Sequence, residues 1–409
     1  MRIRIRKKYL FYALVMGSAV LGAVTASLDS IISQDHIPNS WVFGSAAMLV
    51  GIVVTFAIAL LLSLPLGAKN LGSRIDPSFR RLRLPRREEV PYHLLAGIGN
   101  AVTTLGYFYV VSVFVDPSSV LPFFQVVILY LLVVESLSEK DAPTLAEVES
   151  SIVVTFGAIL ASISLTGSFN VEVLLVIFVV MNPGWVLLAI YQRKLKLMRI
   201  DGGYNDAINI RVWNVVFTAL FLVLAVFVYN PRYFSDSLQA SVEVFWWLAL
   251  TMAVTFFAYI LYIRGLGIGK ASITQAVKAS TILFGIPLSL ALADYLDYSF
   301  SATPTLLAIK LMGIVLVVLG VSSFALTEVK AYVFINAKGG YAMRDLMQQV
   351  WRIRGVTSVS VLAGKYDMMA KIRIRTLGKG YEKVIRKLED IEGISEFNWQ
   401  SILKEWEDI

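Results

Sequence analysis

The chain has no cysteine, so disulfides, thiolate zinc sites and cysteine nucleophiles are excluded. It has only two histidines, His36 and His93, far apart in sequence, which argues against a histidine-rich metal site. Charge is scarce. Of 409 residues 16% are charged, where soluble domains carry about 25%. Apolar residues take the space: 57% are hydrophobic and the mean hydropathy is +0.70. Most of the chain therefore belongs in lipid. The formal charge of +8 invites a nucleic-acid reading. The basic residues lie mainly in loops between apolar runs, where they orient a membrane protein, so no nucleic-acid partner is expected.

Those apolar runs set the plan. At about 20 residues per crossing, the sequence predicts about ten transmembrane helices: Tyr9–Ile32, Trp41–Leu64, Tyr92–Val115, Ser118–Val134, Ser150–Leu165, Val171–Tyr191, Ala207–Tyr229, Val242–Ile263, Ala271–Leu292 and Pro304–Leu326. The first follows a basic N-terminus and reads as a retained signal-anchor. Lys and Arg concentrate in alternate loops, while the opposite side holds only Arg232. That asymmetry predicts a multi-pass protein of the cell (plasma) membrane with both termini cytoplasmic. The strongest charge run, Gly67 to Glu89, reads as a topology signal in contact with anionic lipid headgroups.

The two halves share a plan. Tyr107–Glu135 and Tyr259–Asp294 each run from an aromatic-rich helix through a small-residue turn (Asp116-Pro-Ser-Ser; Gly269-Lys-Ala-Ser) to a helix ending in an acid. Their predicted directions are opposite, which is the signature of inverted repeats in secondary transporters. The expected domains are 1–165 and 166–327, two five-helix repeats, and 328–409, a soluble tail. Residues Tyr9–Leu326 resemble the drug/metabolite transporter superfamily, of the EamA ten-helix type. The paired five-helix layout carries the resemblance, with the segment from Ser118-Ser-Val-Leu-Pro-Phe-Phe to Val134-Glu135 and the Gly157 helix after it. The chain departs from the family's pattern at Val134, where a glycine is usual, and in the spacing of Pro287 and Asp294. The resemblance implies export or exchange of a small metabolite, often an amino acid, nucleotide-sugar or triose-like solute.

A charge in the bilayer core costs roughly 3 kcal/mol on insertion scales, so polar groups there face a cavity or a partner. Lys278 is the first candidate, about two turns into its helix, with Gln275 a turn earlier. Its ammonium would bind a substrate carboxylate or phosphate; a structural ion pair or a snorkelled side chain is the alternative. Asn182-Pro183-Gly184 interrupts the sixth helix, and a broken helix offers backbone dipoles to a ligand; a packing kink is the alternative. Asn100, Thr103 and Thr104 make a polar face on the third helix, and Gln125 lies in the fourth at a place comparable with Gln275; such faces also serve as helix–helix glue. Arg211, Glu135 and Asp294 are expected at membrane ends, Lys310 as a snorkelled side chain, and Trp41, Trp246 and Trp247 in the interfacial belt.

After Leu326 the pattern changes. Ala331–Ala337 alternates as a strand, Ala342–Arg354 is an amphipathic helix, and Gly355–Leu362 and Met368–Arg375 are strands. Lys379–Ile391 is a helix and Ser395–Leu403 a last strand. The order βαββαβ is α+β and ferredoxin-like. Ala331 to about Trp406 resembles the ligand-binding domain of the Lrp/AsnC regulators (the RAM domain, related to ACT domains), on Gly355-Val and Gly364-x-Tyr366-Asp367. The resemblance implies dimerisation through the sheet and small-molecule binding, often of amino acids, near Gly364, Tyr366 and Asp367. Gly364 and Asp367 also read as plain β-turn residues. No helix-turn-helix accompanies the domain, so transcription-factor function is not expected.

Together these point to a secondary transporter, exporting a small metabolite of which an amino acid is the first candidate. Binding of an effector, such as an amino acid, to a homodimeric or higher-order tail would tune it. The alternative is a membrane-anchored metabolite sensor or dimerisation scaffold that transports nothing. No P-loop, metal-ligand cluster or nucleophile–base set is legible, so neither an enzyme nor a cofactor or metal is expected.

Overall fold

The computed structural model describes residues 7–67, 69–113, 125–138, 145–162, 172, 175–200, 202–291, 304–326, 328–375 and 380–401. The expected turn at Asp116–Ser119, Pro122 and Asp294 lie outside them. Residues 7–134 and 153–319 cluster as one compact helical body; 135–152 and 320–409 fall in a second unit that contains the tail.

Among the described residues, seven helices are long and apolar enough to cross a membrane. The first three are α1 (Lys7–Asp35), α2 (Ser40–Ser63) and α3 (Val90–Val113). Next come α4 (Val127–Ser138) and α5 (Leu145–Ser162), not among the seven. A π-turn at Val176–Met181 leads into α6 (Asn182–Leu197), then come α7 (Ala207–Tyr229) and a short α8 (Pro231–Glu243). The rest are α9 (Phe245–Leu266), α10 (Ala271–Lys278), α11 (Thr281–Ala291) and α12 (Pro304–Leu326). Repeated passages of this length and hydropathy mark a multi-pass membrane protein.

Local chemistry sets the boundaries. Asn39 caps α2, its side chain accepting from the Trp41 and Val42 amides at 3.0 and 3.3 Å. Asp206 caps α7, accepting from the Asn209 amide at 2.7 Å. Asn230 and Pro231 start α8, so the span expected from Val242 begins instead at Phe245, after a separate amphipathic helix. The expected continuous helix Ala271–Leu292 is broken: α10 stops at Lys278 and α11 restarts at Thr281. Lys278 is thus the last residue of a short helix, not a residue two turns into a long one. The Thr281 hydroxyl donates to the Lys278 carbonyl at 2.7 Å, which satisfies a backbone group freed by the break.

The body's largest core joins α1, α2, α3, α7 and α9 through Phe43, Phe108, Leu222, Leu248 and Met252. α3 crosses α6 at a glycine pair. A Cβ at Gly99 would stand 2.5 Å from the Gly184 carbonyl oxygen, so any larger residue would push the helices apart.

The tail is a separate four-stranded sheet with two helices. Its elements are β5 (Glu328–Ala337), α13 (Met343–Trp351), β6 (Val356–Val361), β7 (Met368–Arg375), α14 (Gly380–Glu389) and β8 (Ile394–Ser401), after two small hairpins β1–β2 (65–66, 69–70) and β3–β4 (199–200, 203–204) in the body. The strand order is β6-β7-β5-β8 and every pairing is antiparallel, the ferredoxin-like arrangement. Ala331, Val333 and Ile335 alternate onto the helix-covered face with Met368, Ala370 and Ile372. Gly355 sits at φ 93°, where a side chain is strained.

Candidate functional site

A cavity of about 140 Å³ lies inside the helical body. Its wall comes from α1, α2, α3, α7, α9 and α10, with Gln125 and Trp185. Only three charged side chains line it among the described residues: Asp29, Arg211 and Lys278.

Arg211 is fully buried. One guanidinium nitrogen donates to Asn214 Oδ1 at 3.2 Å, while Nε and Nη2 have no hydrogen-bond partner. The group lies 4.0 Å from the centre of the Tyr259 ring. Lys278 faces three rings, with Nζ 4.6 Å from the Trp185 centroid, 4.7 Å from Tyr262 and 5.5 Å from Tyr259. Aromatic faces attract cations but do not neutralise them. Among the described residues no carboxylate pairs with either cation. Asp29 is a carboxylate without a cation: it accepts from Tyr107 Oη at 2.9 Å and Thr251 Oγ1 at 2.7 Å. Buried charges are ordinarily paired, and an unpaired one is expensive. These three leave open valences that a polar ligand would fill.

The wall gathers most of the residues singled out from sequence. Gln275 donates to Gln125 at 3.3 Å, joining α10 to the turn before α4. Asn100 donates to Thr218 at 2.8 Å and to Asn214 at 3.2 Å, so it also holds α3 to α7. Thr103 lines the cavity but spends its hydroxyl on the Gly99 carbonyl at 2.8 Å. Asn182 does not line it. The π-turn inserts before it, and Trp185, three residues on, takes the cavity face. Arg211 is corrected: expected at a membrane end, it is a fully buried wall residue, because the 67–89 loop covers the start of α7 through Asn209 and Trp213. Glu135, expected near a membrane end, and Lys310, expected as a snorkelled side chain, are each 4% exposed. Asp29, Tyr107 and Tyr259 were missed. Asp29 carried a signal, an acid inside the first apolar run; the tyrosines carried none that separates them from belt aromatics.

A second group of charges lies under the loop between α2 and α3. Lys196 Nζ meets Asp76 at 2.8 Å and donates to the Asn205 carbonyl at 2.6 Å. Asp76 also accepts from the Ala207 amide at 2.7 Å and the Ser78 amide at 3.0 Å. Arg83 grips Glu89 with two nitrogens at 2.6 and 2.8 Å and reaches Asn205 at 2.8 Å. Arg264 adds a donor to the Ile75 carbonyl. Burial would raise Asp76, but the Lys196 ammonium and the Ala207 and Ser78 amides outweigh it and hold the carboxyl below its ordinary range. Glu89 is lowered likewise, burial being outweighed by bonds from Arg83, the Arg86 amide and Asn205. Burial pushes Asp206 up, and the Asp76 charge adds to it. This stretch, read from sequence as a lipid-facing charge run, is thus partly a folded clamp; Arg80, Arg81, Arg86 and Arg87 remain exposed.

In the tail, a Cβ at Gly364 would meet nothing within 4 Å. Asp367 accepts from the Ala337 amide at 2.8 Å and its own amide donates to the Ile335 carbonyl at 3.1 Å, which ties the β6–β7 turn to β5. Tyr366 packs on Phe334 with ring centres 5.2 Å apart, on the sheet face away from the helices.

Residues 330–408 match the Lrp/AsnC ligand binding domain family. The tail is such a domain; members of that family bind small effectors and typically oligomerise. No curated protein matches the chain. One solved structure, described only as a protein, is 13% identical, with 79% of this chain and 98% of that one covered and a TM-score of 0.47. Another, a protein named PH0061, is 20% identical over 29% of this chain and 82% of its own, with a TM-score of 0.19.

Proposed function

We propose that the helical body is a secondary transporter, exporting a small metabolite with an anionic group, and that the tail tunes it by binding a small effector. The observation that carries this reading is the pair of cations, Arg211 fully buried and Lys278 partly buried, that face one cavity with no carboxylate partner among the described residues. A structural pair would be neutralised in place; a substrate site must stay unfilled until its ligand comes. The reading takes the body as EamA-like, built of two inverted five-helix repeats that rock about the cavity, with both termini in the cytoplasm. The break at Lys278–Thr281 supports it, since discontinuous helices at a central cavity are how such carriers meet polar solutes, and the π-turn at Val176–Met181 adds a local irregularity to a helix that lines the cavity. An amino acid remains the first substrate class to try. An effector on the tail would shift the carrier only as far as its affinity differs between the carrier's two states. The tail would dimerise through its uncovered sheet face, where Tyr332, Phe334 and Tyr366 lie partly exposed.

The test is flux of a labelled metabolite panel into proteoliposomes of the full chain. A carrier moves at least one solute and loses that flux on Lys278→Ala while staying folded. A chain that moves none, with Lys278→Ala silent in ligand binding as well, is a membrane-anchored sensor or dimerisation scaffold instead. Deleting 330–409 would leave flux intact and abolish its response to the effector.

A further inference from the structure

The charge inventory of the cavity goes further than an anion site. Its described wall holds two cations and one carboxylate. The cations converge: both lie within 5.5 Å of the centre of one ring, Tyr259. The carboxylate lies elsewhere, because Asp29 is bonded to Thr251 of α9 at 2.7 Å. Thr251 and Tyr259 are two turns of one helix apart, about 12 Å along its axis. Thr255, one turn from each, lines the cavity between them. The cavity is therefore bipolar, with a doubly positive end and a singly negative end.

We infer that it selects a small extended solute that carries two negative charges and one ammonium group. This rests on the reading of the cavity as a substrate site and specifies its substrate. Two negative charges would lie between Arg211 and Lys278, since Nε and Nη2 of Arg211 have no hydrogen-bond partner among the described residues and can donate to an oxyanion. The ammonium would lie at Asp29, whose two oxygens each hold one neutral donor and keep acceptor capacity. A neutral amino acid satisfies one cation and strands the other. A plain dicarboxylate satisfies both cations and sets its tail against a carboxylate. Size agrees: about 140 Å³ is space on the order of ten water-sized groups. An amino dicarboxylate and an aminoalkyl phosphate share this chemistry, so the probes must separate them.

The experiment uses the full-length protein in proteoliposomes. Binding and counterflow are measured for L-glutamate, phosphoethanolamine, L-glutamine, glutarate and inorganic phosphate, beside the broad metabolite panel. L-glutamate or phosphoethanolamine is expected to bind at least tenfold more tightly than L-glutamine, glutarate or phosphate; which of the two leads names the carboxylate or the phosphate source. Asp29→Asn should raise glutarate relative to L-glutamate at least tenfold, and Arg211→Leu should weaken both L-glutamate and phosphoethanolamine. L-glutamine or glutarate binding as well as L-glutamate and phosphoethanolamine overturns the inference, as does an unchanged ratio in a folded Asp29→Asn. The wild-type probe series decides alone if that variant does not fold. A panel solute of another class, moved in a Lys278-dependent way, sinks this inference and leaves the carrier reading standing. No flux and no binding of any solute sinks both.

Discussion

Two groups of charged side chains in the body, largely withdrawn from solvent, are finished differently. Under the 67–89 loop two pairs of charges meet their complements, Lys196 with Asp76 and Arg83 with Glu89, and Asn205 is bonded to both pairs. Around the cavity Arg211, Lys278 and Asp29 meet rings, hydroxyls and an amide, but no opposite charge among the described residues. The same desolvation acts on both. In the first group the structure offsets it internally; in the second it stays open for a ligand to offset. A buried charge by itself says little about role. Whether its partner belongs to the chain separates a fastener from a binding site.

The largest effect that would sharpen this contrast is on transport. Lys278→Ala or Arg211→Leu should lower flux by about 10- to 100-fold, the worth of a charge-assisted hydrogen bond of roughly 1.5–3 kcal/mol. Neither should lower the unfolding temperature, because each removes an uncompensated buried charge; a clear drop would mean the cation is a structural fastener. Next comes Lys196→Met, which strands Asp76 and should destabilise the body by about 3 kcal/mol. Adding Asp76→Asn should restore part of that loss in thermal unfolding; strict additivity would break the idea of a closed pair.

Acid provides a smaller test. The Asp76 and Glu89 carboxyls sit below their ordinary range, so the stability they add is full above that range and fades as pH falls through their folded values. Asp206 is raised and pulls weakly the other way. Acidification below the ordinary carboxylate range should therefore loosen the clamp, read as faster proteolysis within the 67–89 loop. The Lys196→Met, Asp76→Asn double variant should lose much of that pH response. Smallest is Gly355→Ala in the tail, where φ 93° should cost about 1 kcal/mol in denaturant unfolding; no change would mean the turn relaxes.

The tail was legible nearly element by element. Met368–Arg375 and the βαββαβ order follow from period-2 alternation and two amphipathic helices, and the sheet pairs them as that order requires. In the body, Ala207–Tyr229 was legible to the residue, since an apolar run bounded by polar residues has one reading. The break after Lys278 was not. Lys278-Ala279-Ser280 contains no proline or glycine, and the interruption is a tertiary choice. The site was half legible for a related reason. Lys278, Gln275, Gln125, Asn100 and Thr103 announced themselves as polar groups in apolar helices. Arg211 did so only ambiguously, because four residues from a helix start is compatible with water until the loop that covers it is seen.

Hydropathy and alternation alone determined that this chain crosses a membrane several times and ends in a small α+β domain. Both are one-dimensional signals: the length of an apolar run and the period of its polar residues. Which buried charges neutralise one another was decided only by tertiary structure. Lys196 and Asp76 are 120 positions apart in sequence, as Thr251 and Asp29 are 222 apart. Pairing at such range depends on where helices cross, and no local pattern encodes that.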